Sequence, residues 1–517
     1  MLDHTATAWL KRLLTWLELF EPCLGRASQR GAMRRYVHGL LSDSRRKSME
    51  AMWARLSDPG SYQALQHFIS HAPWEAEVVW KRLRAVVPER TGVLILDGTS
   101  FPKQGTASVG VARQYCGTLG KVANCQVAVT VALWNGTRAW MLGAVLYLPE
   151  EWLTAAQRTR ASIPAAVRFQ PKWQLALTLL RQVRAAGITV TAVLGDAEFG
   201  DSATLRSALH RARLPYALGV SSVLKMFVGT PRLAAPPPLS GKGRPRTRRH
   251  LPPDTHSLEA RAWAATQTPR QWRLVSWHNG TNAPWRARFC AVRVTPAHDW
   301  RARRTLAPEV WLLCERDLGA TPRTKYYLVD LPPTASLRAL VRLAHQRWAI
   351  EQQYQELKDE IGLDHFEGRS LPGWQRHVVL TAMAYSFLQN ERRRRGQTTL
   401  TLPRARAIIQ EVLTAHFFMT HPHYLKWMLK LKDVELSESY RDRRRAHSLR
   451  GWSLWHDRVD ILRKSVSAQF VWYESMVPST PRSGRRSRPS PARSGARRKR
   501  YASGCARPSV TADTAGG

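Results

Sequence analysis

Gly92-Val93-Leu94-Ile95-Leu96-Asp97 is an apolar run closed by a carboxylate, the pattern of a buried central strand delivering a side chain to a sheet edge. Downstream, residues 126–134 predict a second strand, Asn135-Gly136 a tight hairpin, and 139–148 the returning strand. Residues 172–186 predict a helix, 190–194 a strand ending in Gly195-Asp196, and 203–213 another helix. Strand, hairpin, helix, strand and helix in that order give an α/β core of mixed strand order, and functional groups on such sheets gather at strand ends.

Outward from this core, residues 1–90 show helical apolar spacing and the basic clusters Arg34-Arg35 and Arg45-Arg46-Lys47, which predicts a helical, DNA-contacting domain. The first part of the core is expected over 91–220. Short apolar runs among Pro, Gly, Arg and Trp predict a β-rich insertion over 221–335, containing the very basic stretch 241–249. Helical periodicity returns over 336–400 as the second part of the core and continues through a helical region, 401–476. Residues 477–517, rich in Ser, Pro, Arg and Gly, are expected to be a disordered basic tail.

The formal charge of +41 seeks polyanions. The tail holds ten Arg or Lys against one acid, Asp513, so +32 remains on the body and nucleic acid is expected along the whole protein. The six cysteines are scattered, with no zinc spacing, and read as reduced structural thiols. The N-terminal apolar face is interrupted by Lys11 and Arg12, which excludes a signal peptide or membrane span there; a cytoplasmic, nucleoid-associated protein is the expectation.

In so basic a chain, acids at strand ends stand out. Asp97 and Asp196 each close an apolar strand. Breaking a phosphodiester calls for carboxylates converging from rigid elements on divalent ions, Mg²⁺ or Mn²⁺, two ions in the common arrangement. A third acid is sought in the helix running through Arg347, Glu351, Tyr354 and Lys358, which fall on one stripe at offsets of four, three and four. Glu356 and Glu360 point to the other side, so Glu351 is the choice; Glu198, Asp201 and Asp364 are nearby acids that stand as alternatives.

With these residues in place the sequence resembles the Asp-Asp-Glu transposases with a ribonuclease-H-like core. More narrowly, it resembles the insertion-sequence branch with a Tyr-x2-Arg-x3-Glu-x6-Lys signature and a β-stranded insertion before the third acid. Arg347, Glu351 and Lys358 match that spacing, while Ala344 stands at the Tyr position. The resemblance extends over Asp97-Gly98-Thr99-Ser100-Phe101-Pro102-Lys103, Gly110-Val111-Ala112-Arg113-Gln114-Tyr115-Cys116-Gly117-Thr118, Gly195-Asp196-Ala197-Glu198-Phe199-Gly200-Asp201 and Gly362-Leu363-Asp364-His365-Phe366-Glu367-Gly368-Arg369-Ser370.

What the resemblance implies is a ribonuclease-H-like mixed sheet flanked by helices, with metal-dependent cutting and joining of DNA at insertion-sequence ends. Asp97, Asp196 and Glu351 would be both catalytic residues and metal ligands, and Arg347, Lys358, Lys103 and Tyr354 would meet DNA phosphates. The partners would be double-stranded DNA, as terminal repeats and target, and a second copy of the chain in a homodimeric DNA complex, with no membrane. Trp272, Trp277, Trp285, Trp300 and Trp311 are candidates to stack on a displaced base. Two other readings share these features: a catalytically decayed DNA-binding derivative, and a ribonuclease-H-like nuclease without a joining step.

Overall fold

Strand β1 (Thr91–Pro102) is the spine of the molecule, and its apolar residues explain why. Leu94 and Leu96 face one hydrophobic core while Val93 and Ile95 face another, so β1 is covered on both sides. The computed structural model describes residues 2–423, except 43, 45, 57, 235–249, 280–283, 298–305, 395–399 and 422. Arg45, the basic stretch 241–249, Trp300, Cys505 and the tail 477–517 lie outside the described residues, as does 401–476 beyond residue 423.

Helices α1 (Leu2–Glu18), α2 (Ala27–Leu41), α3 (Met49–Trp53), α4 (Tyr62–Ser70) and α5 (Ala76–Val86) precede the sheet. Next come β2 (Ala112–Cys116), β3 (Lys121–Trp134) and β4 (Ala139–Leu146), then α6 (Ala155–Ala161), α7 (Lys172–Ala185) and β5 (Thr189–Gly195). The Asn135 side chain accepts hydrogen bonds from the backbone N–H groups of Thr137 and Arg138, closing the turn that Asn135-Gly136 predicts. After α8 (Ala197–Gly200), α9 (Ala203–Arg211) and β6 (Tyr216–Val220) the chain enters β7 (Lys225–Val228), β8 (Leu258–Glu259), α10 (Ala260–Ala265), β9 (Arg273–Asn279), β10 (Pro284–Pro296), β11 (Val310–Arg316) and β12 (Thr324–Asp330).

The mixed sheet flanked by helices that the sequence predicts is present. β1 runs antiparallel to β3 and parallel to β5, and β5 runs parallel to β6. The strands of 221–335 extend this sheet: β12 pairs antiparallel with β6, then β11, β10 and β7 follow, making twelve strands in all among the described residues. Beyond the sheet lie α11 (Leu337–His345), α12 (Trp348–Gln355), a π-helical turn (Glu356–Glu360), α13 (Leu371–Arg394) and α14 (Leu402–Thr420).

One difference from the sequence reading concerns β1, which does not end at Asp97 but continues to Pro102 on β3. Its parallel ladder with β5 stops at Ile95↔Leu194. Asp97 therefore follows the end of the parallel pair, not of the strand. No helix among the described residues is long and apolar enough to cross a membrane.

The N-terminal helices are fastened to α13. Arg12 pairs with the buried carboxylate of Glu391 at 2.7 Å. The buried guanidinium of Arg376 donates to the carbonyls of Ile69, Ala72 and Trp74 at 2.9, 2.6 and 2.9 Å and lies over the Trp74 ring. Replacing it by Leu leaves those carbonyls without their donor, and a buried polar group so abandoned costs about 1–3 kcal/mol. Arg376→Leu is expected to lose roughly 3 kcal/mol in chemical denaturation; a loss below about 1 kcal/mol would mean that water takes over the carbonyls.

Candidate active site

Side-chain alternation along the strands sets the site. On β1, Val93 and Ile95 face the second core, so Asp97 falls on the same face; on β5, Ala192 and Leu194 do so, which brings Asp196 there too. The same core is closed from above by Leu340, Val341 and Ala344 of α11 and by Ala349 and Ile350 of α12, the residues just before Glu351. Two strands and a helix thus direct three acids towards one place.

Asp196 is held by a tight turn. Its Oδ1 accepts a hydrogen bond from the Glu198 N–H at 3.0 Å as the N-cap of α8. A Cβ on Gly200 would sit 1.7 Å from the Gly219 carbonyl oxygen, so only glycine lets α8 lie this close to β6.

The stripe on α12 and the following turn lies along β1. Arg347 donates to Asp97 Oδ1 at 3.3 Å and to Glu351 Oε1 at 2.7 Å, so one guanidinium is shared by two of the three acids. Tyr354 hydrogen-bonds to the Thr130 hydroxyl, and Thr130 is the cross-strand partner of Asp97. Lys358 donates to the Ser100 carbonyl at 3.1 Å and to Thr118 Oγ1 at 3.2 Å. Glu356 and Glu360 face away: the Tyr385 hydroxyl donates to Glu356 at 2.9 Å, and Glu360 pairs with Arg406. A π-helical turn spans Glu356–Glu360; such turns are frequent at functional sites.

Burial pushes the Asp97 carboxyl up to about 7; Arg347 opposes this, while the negative charges of Asp196 and Glu351 add to it. Burial also works against the charge of Arg347, but Asp97, Glu351 and Asp196 hold its pKa above the ordinary value. Tyr354 is raised well above the usual phenol range by burial and by the charge of Asp97. Burial lowers both Lys358 and Lys103 from the usual ammonium range, against nearby acids that include Asp364. Lys103 donates to the Phe366 carbonyl at 2.7 Å.

Of the acids that stand as alternatives, Asp201 is engaged by a backbone group, whereas the buried Oδ1 of Asp364 has no hydrogen-bond partner among the described residues. Asp201 accepts from the Ser221 N–H at 2.9 Å, and Asp364 lies 3.7 Å from His365. Glu198 pairs with Lys172 at 2.5 Å, yet its carboxylate also leans over Gly98, beside Asp97. Two residues at the site, Thr130 and Tyr327, are not singled out by the sequence reading. Thr130 is the one hydroxyl in the apolar run of β3, a signal that local sequence does carry, whereas Tyr327 is identified only by its place. It donates to Glu315 at 2.8 Å, beneath His345, which stacks on Trp277 at 3.8 Å. Ala344, at the signature Tyr position, is buried in the core. Of the candidate tryptophans, Trp272 is buried under Arg316, Trp311 donates to the Pro332 carbonyl, and Trp285 is exposed with its ring edge against Trp348 at 5.9 Å.

All the acids offer hard oxygen ligands, which suit Mg²⁺ or Mn²⁺. Among the described residues no three His, Cys, Asp or Glu side chains stand close enough together to hold a metal ion as they are arranged. Arg347 stands as the cation between Asp97 and Glu351, and the Glu351 side chain is 64% exposed. The donor chemistry fits a divalent cation once that ion pair opens.

Ligation requires the ionised carboxylate, so Mn²⁺ affinity measured by electron paramagnetic resonance is expected to strengthen as pH rises through about 7 in wild type. Arg347→Ala removes the group that lowers Asp97 and should move that rise to higher pH; an affinity flat between about pH 6 and 8 would refute it. The linkage to stability has the opposite sense. With its folded pKa raised, Asp97 contributes stability that is full below the ordinary carboxylate range and is lost as pH climbs through about 7.

A family model described as DDE superfamily endonuclease matches residues 19–284, a span that includes Asp97 and Asp196 and ends before Glu351. A curated relative, the "Probable transposase for insertion sequence element IS701" of Microchaete diplosiphon, is 30% identical over 195 residues, which are 36% of this chain and 48% of the relative. The chain thus spans about half the length of that relative.

Proposed function

The chain belongs to the DDE superfamily endonucleases, and from that premise we propose that it is a transposase that cuts DNA at the ends of an insertion sequence and joins them to target DNA. The observation that carries the reading is the single guanidinium of Arg347 shared by Asp97 and Glu351, with the charge of Asp196 felt at the same place. It supports counting the third acid, which lies beyond the matched span, together with Asp97 within it.

Asp97, Asp196 and Glu351 would hold the divalent ions, two Mg²⁺ or Mn²⁺. Bound there, such ions supply an activated water or 3′-hydroxyl and offset charge at phosphorus and on the leaving oxygen. The protein's own part is to aim these carboxylates from rigid elements and to keep their like charges together. Arg347, relieved of Glu351, presents a planar fork to a phosphate, and Lys358 and Lys103 add cations along the same edge. Tyr354 fixes α12 against β3 through Thr130. Pairing two DNA ends calls for two copies of the chain, so the acting form is a homodimer on double-stranded DNA.

The test is cleavage and joining of a labelled fragment carrying the element's own ends, in Mg²⁺ or in EDTA. Wild type is expected to cut and join only with metal. Glu351→Gln, Asp97→Ala and Asp196→Ala should each lose at least about a thousandfold in rate while still binding the ends. Tight binding by wild type with no cut product would overturn this reading in favour of a decayed DNA-binding protein; cutting without joining would make it a nuclease.

A further inference from the structure

Beside the site stands a ribbon of two short strands, β2 and the start of β3, whose outer face serves no fold. Tyr115 and Val122 sit directly opposite each other across it, 66% and 54% exposed, and Leu119 at its turn is 47% exposed. The inner face is buried through Cys116 and Cys125. Its root is fixed to the candidate active site: the Thr118 N–H donates to Ser100 Oγ at 3.1 Å, the Thr118 hydroxyl donates to the Ser100 carbonyl at 3.0 Å, and Lys358 donates to both that carbonyl and that hydroxyl. Ser100 lies three residues from Asp97 on β1.

The surrounding charge narrows what such a face would touch. The ribbon, residues 112–125, contains no Asp or Glu; Arg113 shares the face of Tyr115 and Val122, and Lys121, paired with Cys116, stands exposed on the other face beside Val122. An apolar strip edged by cations and devoid of acids suits a polyanion with apolar surface between its charges, which is what a DNA groove offers. A two-stranded ribbon fits the major groove, where thymine methyls and base edges take apolar contacts while the walls present phosphates.

We infer that this ribbon docks in the DNA groove flanking the bond to be cut, with Tyr115, Leu119 and Val122 packing against bases and Arg113 and Lys121 meeting phosphates. The inference rests on the transposase reading. Because Thr118 and Lys358 join the ribbon to β1, the seated ribbon sets the position of the duplex relative to Asp97.

Two variants of the full-length chain separate the two kinds of contact. The probe is a fluorescein-labelled duplex from the element's end, titrated in EDTA over a range of salt. Tyr115→Ser/Leu119→Ser/Val122→Ser should weaken binding about tenfold or more, with the salt slope unchanged. Arg113→Gln/Lys121→Gln should lower the slope of log affinity against log salt by roughly 0.9 for each phosphate that is no longer neutralised. The replaced side chains are exposed, and an unchanged circular dichroism spectrum would exclude misfolding. Affinity and cutting at the wild-type level in the apolar triple variant would overturn the inference. So would a triple variant that binds DNA normally but, in light scattering without DNA, no longer self-associates as wild type does, since the ribbon would then face a second copy. If wild type binds the ends without cutting and the triple variant loses binding, the transposase reading fails and the ribbon's role on DNA stands.

Discussion

A buried carboxylate beside other acids calls for a counterion, and Asp97, buried with Asp196 and the exposed Glu351 near it, sets that constraint on the candidate site. Asp97 is buried on a central strand, Asp196 caps a turn beside it, and Glu351 approaches from a helix distant in sequence. In water at contact distance, two unit charges repel by about 1 kcal/mol, and several times more where the medium is less polar. Arg347 answers this by bridging two of the three. The Asp97 carboxyl stays raised chiefly because it is buried, with the charges of Asp196 and Glu351 adding to what Arg347 offsets.

The second half of the chain returns to the same sheet, held by an apolar core and by polar attachments of which the bridge is one. α12 and the turn after it run along β1 with three polar attachments in sequence, Arg347 to Asp97, Tyr354 to Thr130 and Lys358 to Ser100. Beneath them, apolar residues of α11 and α12 close the second core over β1, β3 and β5. A face that is apolar in its lower part and carries charge at its upper end is what puts acids at a rim rather than in a core. The strands between β6 and α11 do not separate the halves, because β12 pairs with β6 and keeps the return within the same sheet.

The site is therefore made where ordinary sheet pairing stops. β1 leaves β5 after Ile95 while staying on β3, and β5 turns into α8 at Asp196. Opening at the carboxyl end of a parallel pair is the usual place for chemistry on α/β sheets. Here the exposed ribbon is joined through Thr118 and Lys358 to Ser100, three residues from Asp97 on the same strand.

The elements are legible in the chain: the apolar run into Asp97, the Asn135-Gly136 turn, the strand into Asp196 and the Arg347, Glu351, Tyr354, Lys358 stripe all follow from local periodicity, which a chain carries in short windows. It also carried its appetite for polyanions in its charge. Which groups meet is a matter of packing. That Arg347 would sit between Asp97 and Glu351, that Thr130 would face Tyr354, that Ala344 would be core and that β1 would outrun its parallel partner all depend on strand register and helix docking. These are set by long-range packing of two cores on one sheet, and no local window of sequence contains that information.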